Sequence, residues 1–68
     1  KKLLTAPVRK GDMLDVMIGS TGRSGDGVAV VEGFAIIVRG SREGDRLRVK
    51  IDAVKPNFAF ADILERKD

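Results

Sequence analysis

The sequence predicts an all-β fold, a small antiparallel barrel of five strands. Apolar and polar residues alternate with a period of two in several short segments, and no segment keeps a helical period over three turns. Eight glycines punctuate the connections between these segments. Closure into a barrel is favoured because it removes the exposed edges that an open five-stranded sheet would have to protect.

Composition limits the function of this 68-residue chain. Its length suits one domain with a marginal core. It has no histidine and no cysteine, which removes the commonest general base, the thiolate zinc ligands and any disulfide framework. The aspartates are scattered and form no paired-carboxylate pattern. We therefore expect no catalytic residue, no metal, no cofactor and no small-molecule substrate.

We expect a cytoplasmic protein that is a monomer. The 13 Lys and Arg against 10 Asp and Glu give a net charge of +3, which is basic but too small to prove a polyanionic partner. No apolar run approaches the roughly 20 residues of a membrane span, so no membrane partner is expected.

Residues 1–10 are basic and aperiodic, so they are interpreted as a solvated lead-in to a single domain over residues 11–66. A first strand follows over residues 13–19, where Leu14, Val16 and Ile18 alternate with polar or flexible neighbours. Residues 20–27 contain three glycines and no aliphatic side chain, which predicts a flexible loop. This loop is not a nucleotide-binding loop, because a strand rather than a helix follows it.

The segments 28–31 and 34–38 are predicted to form a hairpin across Glu32 and Gly33. The connection is either a mirror-type turn with Glu32 strained or a slightly longer loop. Residues 39–45 form the next glycine-punctuated loop, which carries Arg39 and Arg42.

The fourth strand, residues 46–54, has the clearest alternation in the chain. Its core face carries Leu47, Val49, Ile51 and Ala53, and its opposite face carries Arg46, Arg48, Lys50 and Asp52. An ordinary solvated face explains this cationic stripe by itself. If aromatic residues lie beside it, the stripe is expected to follow phosphates.

The fifth strand begins after the turn signal Pro56-Asn57 and covers residues 58–64. Its alternation places Phe58, Phe60 and Asp62 on one face and small residues on the other. The carboxylate of Asp62 indicates that its face meets solvent. Two neighbouring exposed phenylalanines with Lys55 beside them suggest a stacking platform for single-stranded nucleic acid. The alternative is that one ring packs under a loop as part of the core.

Five segments in this order resemble the TRAM domain: residues 22–29, 31–34, 44–46, 49–51 and 55–61. The resemblance covers residues 6–65 and implies a five-stranded barrel related to the oligonucleotide-binding (OB) fold. The family occurs appended to enzymes that methylate or methylthiolate tRNA and rRNA. It also occurs as a stand-alone archaeal protein taken to be an RNA chaperone similar to cold-shock proteins, and a chain this short resembles that type.

The resemblance implies RNA contacts at Arg23, Phe34, the basic loop before Gly44, Lys55, Phe58 and Phe60. For Phe34 an equal alternative is that it caps the barrel. Together with the stripe, the candidate RNA-binding residues are Arg23, Phe34, Arg39, Arg42, Arg46, Arg48, Lys50, Lys55, Phe58 and Phe60. The chain departs from the family at three positions, having Val30 for a basic residue, Ile37 for an aromatic one and Arg39 for a proline.

We therefore expect a low-specificity chaperone of single-stranded RNA that stacks bases on phenylalanine and contacts phosphates with Arg and Lys. Two alternatives stay open. The first is a protein-interaction barrel that offers its phenylalanines to a partner protein. The second is the RNA-delivery domain of a larger tRNA- or rRNA-modifying enzyme.

Overall fold

The computed structural model describes residues 7–67, which form one curled β-sheet. The strands are β1 (Met13–Met17), β2 (Ser20–Thr21), β3 (Gly27–Val31), β4 (Phe34–Val38), β5 (Arg46–Val54) and β6 (Phe58–Lys67). This confirms the all-β class. No helix within these residues is long and apolar enough to cross a membrane.

The two edge strands of the sheet, β1 and β2, are consecutive in the chain. The strand order is β1-β5-β6-β4-β3-β2. Between the edges, the Ile18 amide donates to the Asp45 carbonyl at 2.8 Å, and the Gly19 amide donates to the Val28 carbonyl at 2.9 Å. Within two residues the β1–β2 segment thus stops pairing with β5 and starts pairing with β3. β1 and β2 act as one bent strand. Counted separately, they give the sheet six strands where five were expected, and β2 is the added one.

Within residues 7–67, the pairing of β4 with β6 is parallel and the other four strand pairings are antiparallel. The expected barrel was antiparallel throughout. The parallel pair arises because β5 follows β4 in sequence but pairs with β1 and β6 instead. The loop over residues 39–45 carries the chain away from β4, and β6 returns beside it in the same direction.

The hairpin between β3 and β4 has a mirror-type turn, one of the two connections that its sequence left open. Glu32 has a φ of 51° and Gly33 a φ of 79°. Positive φ at both central residues matches the right-handed twist of the flanking strands. Glu32 therefore accepts a left-handed conformation that L residues rarely adopt.

The core lies on the concave side of the sheet and follows the predicted alternation. Its buried residues are Val8, Val16, Ile18, Ala29, Ile36, Val38, Leu47, Val49, Ile51, Ala59 and Ala61. Val8 is only 3% exposed, which the interpretation of residues 1–10 as a solvated lead-in did not anticipate. Residues 1–6 of that segment lie outside the described part of the chain.

Gly27 begins β3 at a point of close approach, although it was predicted to lie in a flexible loop. A Cβ atom at this position would overlap the Ser41 hydroxyl and stand 2.7 Å from a methyl group of Ile18. Ser41 is buried, and its hydroxyl donates to the Val38 carbonyl at 2.7 Å. The missing side chain of Gly27 therefore lets the loop after β4 close against the barrel.

A candidate nucleic-acid interface

The outer face of β3, β4 and β6 carries a continuous apolar surface, which we call the platform. Strand pairing puts Val30 beside Ala35 and Ala35 beside Phe58. Two residues away on each strand, it puts Val28 beside Ile37 and Ile37 beside Phe60. Val30 is 68% exposed, and the other members are half-buried. The platform therefore consists of Val28, Val30, Ala35, Ile37, Phe58 and Phe60.

Local sequence explains why the two rings of β6 point outward. Ala59 and Ala61 are fully buried, and the intervening Phe60 must then face the other side of the strand. Both rings lie on the outer face, as the alternation predicted. They are half-buried rather than fully exposed, because they cover each other.

The rings of Phe58 and Phe60 meet edge to face. Their centroids are 5.3 Å apart and their planes are inclined at 86°. This arrangement is one that aromatic pairs prefer, since it brings the positive edge of one ring to the negative face of the other. A flat base that lies parallel to one ring is consequently perpendicular to the second. The pair thus offers one stacking direction at each ring rather than a single flat surface.

Arg39 extends the platform beyond Phe60. Its guanidinium carbon lies 5.4 Å from the centroid of the Phe60 ring. One terminal nitrogen donates to Asp62 at 3.0 Å and lies 3.5 Å from a carboxylate oxygen of Asp52. The hydrogen bond to Asp62 raises the pKa of Arg39, against a smaller opposing effect of desolvation. Arg39 is thus a fixed cation whose charge is already compensated.

Lysine side chains flank the platform at both ends. Lys55 lies in the turn before β6, where its amide donates to the Phe58 carbonyl at 2.7 Å. Beyond Arg39, a groove of about 370 Å³ is lined by residues that include Lys10, Lys50 and Asp62. Within residues 7–67 none of these three lysines makes an ion pair. Their charges are available to phosphates.

Lys50 and Asp52 of the predicted stripe lie at the Phe60 end of the platform, whereas Arg46 and Arg48 lie further along β5 and do not border the rings. Arg48 donates to Asp15 at 2.9 Å, and Lys67 donates to the same carboxylate at 3.3 Å. These hydrogen bonds hold the pKa of Asp15 below its usual value. Phe60 pairs with Ala53, so Arg48 lies about 16 Å further along β5 at about 3.3 Å per residue. Arg46 lies further still.

Arg23 and Arg42 lie in loops at the opposite end of β3 from Phe58. A hydrogen bond of 3.2 Å from the Glu43 amide to the Thr21 hydroxyl joins these two loops. The second loop is also fixed by Asp45, which accepts hydrogen bonds from the Arg42 amide and from Arg66, both at 2.9 Å. These bonds lower the pKa of Asp45. The first loop nevertheless reaches the Val28 end of the platform, since a Cβ atom on Gly22 would stand 4.0 Å from a methyl group of Val28. Arg23 and Arg42 thus lie away from Phe58, and their contact with RNA stays a prediction.

Phe34 lies on the other face of β4 from Ile37. It pairs with Val31 at the hairpin turn and packs against the edge of the core. This position matches the alternative in which Phe34 caps the barrel, and it separates Phe34 from the two rings of β6.

Several residues of the site were not identified from the sequence. Val28 and Ala35 were interpreted only as parts of apolar strands, Val30 and Ile37 were noted only as departures from the family pattern, and Asp52 was not connected with Arg39. A signal was present for two of them, because Val30 and Ile37 are positions where the family has basic or aromatic residues. The described residues include no group of three carboxylate, histidine or cysteine side chains that could hold a metal ion.

Comparison with known proteins places this geometry in context. The family model of the TRAM domain matches residues 7–64. The ribosomal RNA large subunit methyltransferase E of Methanothrix thermoacetophila is 59% identical over 66 residues, which cover 97% of this chain and 26% of that protein. The enzyme of the same name from Methanocella arvoryzae is 51% identical, over 98% of this chain and 26% of that protein.

The chain thus spans about a quarter of the length of these methyltransferases. Among solved structures, the solution structure of a conserved protein from Methanococcus maripaludis matches with a TM-score of 0.84 and 36% identity. That match covers 94% of this chain and 91% of the other. Matches therefore include both a protein of about this size and enzymes about four times as long.

Proposed function

This chain belongs to the TRAM domain family, and we propose that it is an RNA-binding domain that captures unstacked bases on its platform. The observation that carries the proposal is the pair of phenylalanines on the outer face of β6, in register with the apolar residues of β4. Stacking of a base on an aromatic ring contributes about 1 to 3 kcal/mol and tolerates any sequence.

The preferred RNA is single-stranded. In a duplex each base is already stacked on its neighbours, and its faces are closed to a protein ring. Lys55 at one end of the platform and Lys10 and Lys50 beyond the other end suit the phosphates of one strand that crosses the sheet. With two to four such contacts, the slope of log affinity against log salt is about −1.5 to −3.

Within this function, the delivery of ribosomal RNA to a catalytic domain is the role we favour. Its support is the identity of 59% to a protein named ribosomal RNA large subunit methyltransferase E. The chain has no histidine or cysteine, and four of its aspartates, Asp15, Asp45, Asp52 and Asp62, are used in ion pairs. We assign methyl transfer to other parts of such an enzyme, and substrate capture to this domain.

A stand-alone RNA chaperone is the second candidate. It is favoured by the match to the Methanococcus maripaludis protein, which this chain covers over 91% of its length. Melting by such a protein needs no ATP, because the bases are trapped as they open. A hairpin reporter should then open only at high protein-to-RNA ratios, and substoichiometric melting that ATP accelerates would exclude this mechanism.

The binding proposal is tested by fluorescence anisotropy with one RNA sequence in two forms. A short unstructured single strand is compared with the same strand in a perfect duplex, from about 50 to about 200 mM salt. We expect tighter binding to the single strand and a negative salt slope. If the duplex competes for the protein as well as the single strand does, the capture of unstacked bases is contradicted. A flat salt response would instead favour the apolar protein-partner alternative.

A further inference from the structure

We propose that Arg39 is the second stacking surface of the RNA site, on which a base lies against the guanidinium that covers Phe60. This inference rests on the proposed function and deepens it. It assigns Arg39 to a base instead of a phosphate, and it gives Asp52 and Asp62 the role of holding the guanidinium in place.

The charges around Arg39 argue against a phosphate contact. Its guanidinium is shared between two carboxylates at 3.0 and 3.5 Å. The three side chains together carry one net negative charge, which repels a phosphate at this point. Lys55 and Lys50 have no such compensation among the described ion pairs, and they are better placed to receive the RNA backbone.

The geometry of the rings argues for a stacking role. Because the planes of Phe58 and Phe60 are inclined at 86°, one flat base cannot stack on both. Arg39 already lies over Phe60, so a second base that approaches this ring meets the guanidinium instead. The side chain of Arg39 is 49% exposed, which leaves surface for such a base. A guanidinium is planar and stacks on bases as it does on aromatic rings.

Strand register explains why this arrangement is stable. β4 and β6 run parallel, and Val38 pairs with Ala61. The next residue on each strand, Arg39 and Asp62, therefore stands beside the other on the outer face. Asp52 approaches from β5 and makes the second ion pair. Asp62 is thus a positioning residue, which acts on RNA through Arg39.

The decisive variant is Arg39→Lys, which keeps the charge but removes the planar group. Affinity for a fluorescent single-stranded RNA is measured by anisotropy over a salt series. We expect Arg39→Lys to weaken binding by at least about fivefold, the low end for the loss of one stacked base. The salt slope should stay that of the parent. Arg66→Lys is the matched control, because Arg66 is also an exposed arginine paired with a carboxylate, lies six residues beyond Phe60 on β6, and should bind as the parent does.

A second variant tests the positioning role. Asp62→Ala removes a negative charge, and charge alone would make RNA bind more tightly. We expect weaker binding instead, because the guanidinium loses its shorter hydrogen bond. Affinity equal to or above that of the parent overturns the role of Asp62.

The proposal for Arg39 is overturned if Arg39→Lys binds within twofold of the parent. The phosphate alternative is identified by Arg39→Ala, which should then lower the salt slope by about 0.7. Failure of the parent protein to bind single-stranded RNA would overturn the proposed function and this inference together. If the parent binds single-stranded RNA and Arg39→Lys binds it equally well, only this inference is overturned. Thermal melting monitored by circular dichroism confirms that each variant is folded.

Discussion

Truncation of the platform rings, by Phe58→Ala and Phe60→Ala, separates their contribution to folding from their contribution to RNA binding. Both rings are half-buried and lie on the face opposite the core residues Ala59 and Ala61. Removing either ring therefore opens no cavity in the core. What is lost is the edge-to-face contact, about 0.5 to 1.5 kcal/mol, and for Phe60 also the contact with Arg39, about 0.5 to 1 kcal/mol.

We expect Phe58→Ala to lower the free energy of unfolding by about 0.5 to 1.5 kcal/mol and Phe60→Ala to lower it by about 1 to 2.5 kcal/mol. A buried phenylalanine would cost about 3 to 5 kcal/mol. RNA affinity should fall by about 1 to 3 kcal/mol, about fivefold to 150-fold, for a ring that stacks a base. The salt slope should not change, because neither substitution alters charge.

The assay pairs urea unfolding with anisotropy on the same samples. The chain has no tryptophan or tyrosine, so unfolding is followed by circular dichroism. Leu64→Ala is the control, since Leu64 is an exposed apolar residue of β6 outside the platform. The reasoning is refuted if the double variant is unfolded near room temperature, which would make the rings core. Folded variants that bind RNA as the parent does would refute the platform itself.

Three further substitutions or conditions test other parts of the structure. Val30→Lys adds a cation to the platform and should steepen the salt slope of RNA binding by about 0.7, whereas an unchanged slope would place the RNA elsewhere. Gly27→Ala forces a methyl group against Ser41 and should lower the free energy of unfolding by about 1 to 3 kcal/mol in urea titrations, and parent-like stability would contradict the close packing. Hydrogen bonds lower the pKa values of Asp15 and Asp45. The stability that these two carboxylates contribute is therefore complete above the usual Asp pKa of about 3.9. It is lost as the pH falls through their lower pKa values in the folded state. The urea midpoint should therefore decrease below about pH 4, and Asp15→Asn should flatten this decrease; a midpoint that stays constant down to about pH 2 would count against these bonds.

The sequence predicted the features that depend on neighbours along the chain. Alternation assigned Leu47, Val49 and Ile51 to the core, and it put Phe58 and Phe60 on the outer face. A period of two is enough for this, because it fixes the face of each residue. The Glu32 and Gly33 turn was also predictable, since few two-residue connections fit a hairpin.

Features that depend on strand neighbours were not predictable in the same way. Alternation says which face a residue occupies but not which strand lies beside it. The parallel pairing of β4 with β6 brings Arg39 to Asp62 across 23 residues, and the pairing of β1 with β5 brings Arg48 to Asp15 across 33. The sequence interpretation put the whole cationic stripe beside the rings, whereas its Lys50 and Asp52 end lies near Phe60 and Arg48 is paired with Asp15 further along β5.

Two residues show the limit of periodicity more sharply. Both faces of β4 are apolar, so the pattern could not decide whether Phe34 faced outward or capped the core. Val8 follows Pro7 in a segment with no period at all. Its side chain is only 3% exposed. Because this burial depends on the complete barrel, no local sequence pattern predicts it.

The parallel junction of β4 and β6 also determines when the RNA site comes into existence. The β3–β4 and β5–β6 hairpins each pair residues close in sequence, but each contributes only part of the platform. A partly folded chain with both hairpins formed and not yet docked has only part of the proposed site, so an RNA that uses the whole platform would favour the completed fold. Ligand present at a hundred times its dissociation constant then stabilises that fold by about 2.7 kcal/mol. For a domain with a total stability of about 5 kcal/mol, an RNA bound as proposed would add about half as much again to what keeps the two hairpins together.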